Sequence, residues 1–340
     1  MANSIVYWLV LLLVATSMCT TEAAATTYNI ITFGVKPDGT TDATQPFLKA
    51  WASASSSVRQ SKLYVPEGRY LLNQLAFRGP CRNQIKVQID GTLVAPDDYR
   101  VSGNSNYWIL FIHVNKISVI GGTLDAKGAG FWACRRSGKN CPVGANSSTG
   151  ITITGSSIKT GDDCISIGPG TRNLWMEKIQ CVPGHGVSIG SLGRDYNEAG
   201  VQNLTLTDSV FIESDNGLRV KTWARPSNGL VRDIRYRNIL MKKVDNPIII
   251  DQNYCPGNQG CPQRGSGIKI SSIIYENIQG TSATEVAMIF DCSPTNPCTD
   301  ISLRDIKISF VNSRTKAKSN RTMLQLKTGL SSDLNITIDD

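Results

Sequence analysis

From residue 150 onward the chain repeats one theme, and that repeat limits the folds open to it. A short alternating apolar stretch leads into a turn, and a second alternating stretch follows. The leading pairs are Ile151/Ile153, Leu174/Met176, Leu204/Leu206, Ile234/Tyr236, Ile273/Tyr275 and Ile301/Leu303, spaced by 23, 30, 30, 39 and 28 residues. The second pairs are Ile165/Ile167, Val187/Ile189, Leu218/Val220, Ile248/Ile250 and Val286/Met288. Period-two apolar residues mark strands with one face inward. Short strands recurring every few tens of residues predict stacked coils, each burying its apolar face against its neighbours. A β-sandwich of hairpins would need frequent tight turns between strands. Asn-Gly occurs here only at Asn216-Gly217 and Asn228-Gly229. The expected fold is therefore all-β, a single-stranded right-handed parallel β-helix.

A solenoid has two open ends to cover. Asp42 to about Ser57 fits the first, as a capping helix. Asp42 can N-cap it, Gln45 follows three residues later, and Phe47, Ala50, Trp51 and Ala54 form one apolar stripe. The boundaries expected are a leader over 1–25, a β-helix domain over 26–313 and a divergent, poorly ordered tail over 314–340.

The leader sets the compartment. Its apolar run, Ile5 to Ala15, ends in Ala23-Ala24-Ala25 and is too short to span a bilayer, so it reads as a cleaved secretory signal. Secretion suits ten cysteines. Cys19 leaves with the leader. The remainder suggest four close pairs, Cys134/Cys141, Cys164/Cys181, Cys255/Cys261 and Cys292/Cys298, with Cys81 left over. Sequons stand at Asn146, Asn203, Asn320 and Asn335. Formal charge is +8, and the leader holds Glu22 but no Lys or Arg, so the mature chain is +9. A basic secreted protein without nucleic-acid motifs fits an acidic polysaccharide better than nucleic acid or a membrane.

Three successive repeats carry polar residues at matching places: Gly161-Asp162-Asp163-Cys164, Gly184-His185-Gly186 and Asn216-Gly217-Leu218-Arg219-Val220-Lys221. Aligning the strands that follow puts Asp163, His185 and Asn216 in one column, with Arg219 and Lys221 on the face opposite the inward Leu218 and Val220. Two adjacent carboxylates repel a second charge, so one is expected to keep its proton. An acid beside a base is the minimum for glycoside hydrolysis, and paired cations suit a sugar bearing a carboxylate.

TGDDCISIGPG (Thr160–Gly170), GHGVSIGSLG (Gly184–Gly193), RVK (Arg219–Lys221), DQNYCP (Asp251–Pro256) and the opening Tyr28–Trp51 resemble the signature blocks of plant polygalacturonases, glycoside hydrolase family 28. The resemblance runs from about residue 27 to about 312. It implies inverting hydrolysis of α-1,4-linked galacturonan without metal or cofactor, by a monomer secreted to the cell wall. Carried over, Asp162 is the general acid, Asp163 helps activate water, and His185 tunes or orients the acid. Arg219, Lys221 and Tyr254 grip substrate carboxylates.

One block is missing. The family has a third catalytic Asp in an Asn-Thr-Asp-Gly segment one coil before the Asp pair, and this chain has no acidic residue between Asp125 and Asp162. Roughly two coils appear absent between Gly144-Ala145 and Ser148. The second reading is therefore a catalytically impaired pectin-binding variant. A third, a calcium-dependent pectate lyase, would need a richer carboxylate site.

Overall fold

The computed structural model describes residues 25–98, 108–127, 151–256 and 260–311, with two short strands at 318–322 and 324–326. The leader, most of the tail, and Cys134, Cys141, Asn146 and Asn335 lie outside the described residues.

Every strand ladder is parallel, and the chain winds as the repeat predicts. A 15-stranded sheet runs the length of the stack, and a six-stranded sheet runs beside it over the C-terminal half. In the large sheet Leu174 pairs with Leu204, Leu204 with Ile234, Ile234 with Ile273 and Ile273 with Ile301. In the small one Ile165 pairs with Val187, Val187 with Leu218 and Leu218 with Ile248. These inward residues are almost wholly buried, apart from the partly buried Ile165 at the sheet's end. The last pair is corrected by two residues: Met288 and Phe290, not Val286 and Met288, continue the column of Ile248 and Ile250.

The longest strand, Leu230–Val244, turns corners without breaking, using left-handed residues at Asp233, Asn238 and Lys243. Asn and Asp tolerate that conformation best. They also bond along the stack, as Asn203 Nδ2 donating to Asn173 Oδ1 at 2.6 Å and Asn238 Nδ2 to Asp208 Oδ1 at 2.8 Å. The sequon residue Asn203 is thus an exposed corner residue of this kind.

The capping helix spans Thr44–Ser56 and buries Phe47, Ala50, Trp51 and Ala54. Trp51 packs on Phe77 with ring centroids 4.7 Å apart, and Phe77 on Phe111 at 4.9 Å. Ala43, not Asp42, holds the N-cap position. Asp42 stands one residue earlier and accepts from the Thr44 amide at 2.9 Å and from Asn73 Nδ2 at 2.9 Å. Beyond residue 313 the strands Lys318–Thr322 and Leu324–Leu326 add a rung to both sheets.

Three expected disulfides are present: Cys164–Cys181, Cys255–Cys261 and Cys292–Cys298. Cys81 is free and buried, and burial pushes its thiol pKa up.

Candidate active site

The site is built on the first three rungs of the six-stranded sheet: Ile165–Ile167, Val187–Leu192 and Asn216–Thr222. The turns before the strands carry Asp162, Asp163, His185 and Asp215, and the third strand itself carries Arg219 and Lys221. Backbone bonds lock the turns together, the His185 amide donating to the Asp162 carbonyl and the Cys164 amide to Gly186, both at 2.7 Å. Gly186 sits at φ 83°, and a Cβ there would lie 2.2 Å from the Asn216 carbonyl oxygen, so only glycine lets the next rung approach. The Cys164–Cys181 bridge ties the Asp162-Asp163 turn to the following coil.

All six residues expected at the site come together, but with different partners. Asp163 is paired with Lys221 and Ser188. Its Oδ2 accepts from Lys221 Nζ at 2.6 Å and its Oδ1 from Ser188 Oγ at 2.6 Å. The Asp163 and Lys221 side chains are 7% and 9% exposed, a buried ion pair. The expected repulsion between two acids is thereby removed, because Lys221 neutralises one and His185 faces the other.

Asp162 keeps nearly half its side chain in solvent. Its Oδ1 lies 3.4 Å from His185 Nδ1 and accepts from the Asp163 amide at 2.8 Å. Burial draws its pKa upward, but the His185 hydrogen bond and charge, the Lys221 charge and the Asp163 amide outweigh it. The carboxyl falls below its ordinary value instead of keeping a proton. His185 shows the reverse balance. Burial disfavours its charge, yet the bonds and charges of Asp162 and Asp215 prevail and raise it to about 9.

Asp215 and Ser188 are the residues that sequence reasoning missed. His185 Nε2 lies 2.8 Å from Asp215 Oδ2. Asn216, the residue aligned with His185, is buried and accepts from Asn246 Nδ2 at 3.3 Å instead.

Arg219 and Lys221 both lie over the Tyr254 ring, at 5.3 and 5.5 Å from its centroid. Among the described residues, Arg219 Nε is buried without a hydrogen-bond partner. Trp223 packs edge-on against Tyr254, and Arg225 lies 5.1 Å from the Trp223 ring. Past the acids, the neighbouring groups are cationic and aromatic. That surface suits a sugar ring bearing a carboxylate.

Asp162, Asp163 and His185 offer ligand atoms within 4.8 Å of one another. Lys221 already supplies the cation for Asp163, and a protonated imidazole offers no lone pair, so the cluster is poorly matched to a metal ion. The same closeness bears on hydrolysis. Two carboxyl groups working by inversion stand ~6.5–9.5 Å apart with a water between them.

The profile of "Glycosyl hydrolases family 28" matches residues 55–145 and 142–328. The chain belongs to glycoside hydrolase family 28. Among its relatives, the polygalacturonase of Prunus persica is 45% identical over 347 aligned positions, covering 85% of this chain and 88% of that one. A Gossypium barbadense polygalacturonase is 34% identical over 334 positions, covering 81% and 82%. The fold is shared with an endo-xylogalacturonan hydrolase from Aspergillus tubingensis (19% identity, TM-score 0.58, 92% and 98% covered). It is shared also with a polygalacturonase from Erwinia carotovora (18%, 0.51, 92% and 99%).

These family 28 relatives also measure the gap. The peach alignment draws on 85% of 340 residues, about 289, so about 58 of its 347 positions face nothing in this chain. The cotton alignment draws on about 275 of 340 residues and leaves about 59 of 334. At roughly 30 residues per repeat, that number of positions equals the length of about two coils. The profile match divides at residues 142–145, where the sequence reading put the loss.

Proposed function

We propose that this enzyme hydrolyses α-1,4-galacturonosidic bonds of pectin and polygalacturonate, acting as a secreted monomer in the cell wall. One observation carries the reading: a solvent-facing carboxyl, Asp162, stands beside the His185 imidazole and near a patch of Arg219, Lys221 and Tyr254. Asp162 donates the proton to the leaving glycosidic oxygen. To hold that proton its carboxyl must rise above its unliganded value, and a bound galacturonate supplies the cause. The sugar's negative charge enters the patch and competes for the fields of His185 and Lys221. Arg219, with its unpaired buried Nε, takes the sugar carboxylate, and Tyr254 lies against the ring. Lys221 acts chiefly through Asp163, which it holds in place on the water side.

The test is reducing-end release from polygalacturonate by the full chain, paired with a binding assay. Turnover that Asp162→Asn removes supports this reading. Turnover that survives Asp162→Asn refutes the assignment of the acid. Binding without turnover would instead identify the impaired variant.

A further inference from the structure

We propose that Asp215 is a positioning residue for this reaction: it grips the His185 ring from the side away from Asp162 and so aims the other nitrogen at the acid. The inference rests on the reading of Asp162 given above. The His185 side chain is 17% exposed and has a carboxylate at each nitrogen. The shorter contact is the remote one, Nε2 to Asp215 Oδ2 at 2.8 Å, against 3.4 Å from Nδ1 to Asp162 Oδ1. An imidazole held at one nitrogen by a carboxylate has its tautomer and ring angle fixed, and the free nitrogen then has one direction to serve.

The anchor is itself well placed. The Asp215 amide donates to the Gly184 carbonyl at 2.8 Å, and the Asn246 amide donates to the Asp215 carbonyl at 3.0 Å. Ser214 Oγ donates to the Asn216 carbonyl at 2.9 Å. The turn leads directly into the strand Asn216–Thr222, which delivers Arg219 and Lys221. One continuous segment, Asp215 and the strand after it, thus carries the partner of the imidazole and both cations. With Nε2–H committed to Asp215, Nδ1 donates to Asp162 when the acid is a carboxylate and can accept from it when the acid is protonated. Among the described residues the ring faces Asp162 and Asp215, with Asp163 in the same cluster; Lys221 acts on Asp162, and Asp245 on the following rung has its own pKa raised by burial and by Asp215.

The chain has only two histidines, His113 and His185, so imidazole resonances are assigned with one His113→Gln variant. The experiment compares the full chain with Asp215→Asn and Asp215→Glu, by histidine NMR titration and by initial rates on polygalacturonate. In Asp215→Asn the His185 midpoint is expected to fall by at least about one pH unit, as loss of an adjacent opposite charge does. kcat should fall about 10–100-fold, with KM changed far less. The alkaline limb of the kcat profile should move down with the histidine, and Asp215→Glu should restore both. An unmoved His185 midpoint in Asp215→Asn overturns the proposal. So does a fall in kcat with the midpoint unchanged, which would make Asp215 merely structural. If the native chain shows no turnover, the functional reading fails, and the titration alone still decides whether Asp215 holds the ring.

Discussion

Replacing Lys221 by Met separates a partner of Asp163 from a hand on the substrate. The two side chains are 9% and 7% exposed, their charged atoms are 2.6 Å apart, and among the described residues the second carboxylate oxygen has Ser188 Oγ as its side-chain partner. Stranding one member of such a buried pair costs about 3–5 kcal/mol, mostly because the remaining charge is buried without compensation. The methionine preserves the length of the apolar stem, so little of the loss should come from packing. The assay is urea unfolding at pH 7, comparing the native chain, Lys221→Met, and Lys221→Met combined with Asp163→Leu. The double variant should recover at least half the loss, because no charge is then left behind. A loss below about 1 kcal/mol, the worth of an exposed pair, together with weakened polygalacturonate binding, would refute the argument and make Lys221 a substrate ligand.

Non-reducing peptide mapping should find Cys164 joined to Cys181. Replacing both by Ala should cost about 3 kcal/mol for a loop of this size, and a full-stability variant would contradict that. His185 is raised from 6.5 to about 9, so its contribution to stability is complete below about pH 6.5 and lost as pH climbs towards 9. That of Asp162, lowered from 3.8, holds above that value and is lost as pH falls through the folded pKa. Thermal unfolding should thus be most resistant between about pH 4 and 6.5, and a flat profile from pH 6 to 9 would count against the Asp162–His185–Asp215 arrangement. Polygalacturonate binding should weaken with salt, because a basic chain of formal charge +8 meets a polyanion; salt-independent affinity would contradict it.

Much of the fold was legible because alternation marks the inward face directly. It failed at Val286-Ala287-Met288-Ile289-Phe290, where both parities are apolar and period two no longer distinguishes inside from outside. The shared location of Asp162, His185, Arg219 and Lys221 followed from strand register. Their pairing did not. Register aligns Cα atoms, and in the turns before the strands side chains do not alternate, so His185 reached Asp215 instead of its aligned neighbour Asn216. Glu213-Ser214-Asp215-Asn216 reads as an ordinary polar turn. Ser188 reads as the outward residue of Val-Ser-Ile, yet it is fully buried against Asp163.

The missing coils affect fold and chemistry unequally. Strand Ile117–Asp125 takes Ile151–Thr154 and Ser157–Lys159 as its next rung, with Ile117 opposite Ile151, Val119 opposite Ile153 and Leu124 opposite Ile158. Inward residues meet inward residues across that seam, so the loss is in phase with the coil. A one-residue slip would have turned the apolar set outward. A solenoid tolerates such a loss because each coil touches only its neighbours. The site has no such tolerance. Among the described residues, Ile165–Ile167 is the end strand of the six-stranded sheet, and the Asp162-Asp163 turn belongs to that end rung. The chain feeding into it, Ala126 to Gly161, contains no acid but holds Lys127, Arg135, Arg136, Lys139 and Lys159. On the reading proposed above, the water-side base comes from Asp163, from Asp125 on the preceding rung opposite Lys159, or from a later rung, and Asp163 is already committed to Lys221 and Ser188. On that reading the rate of hydrolysis depends on how far Asp163 can serve both its partners and water.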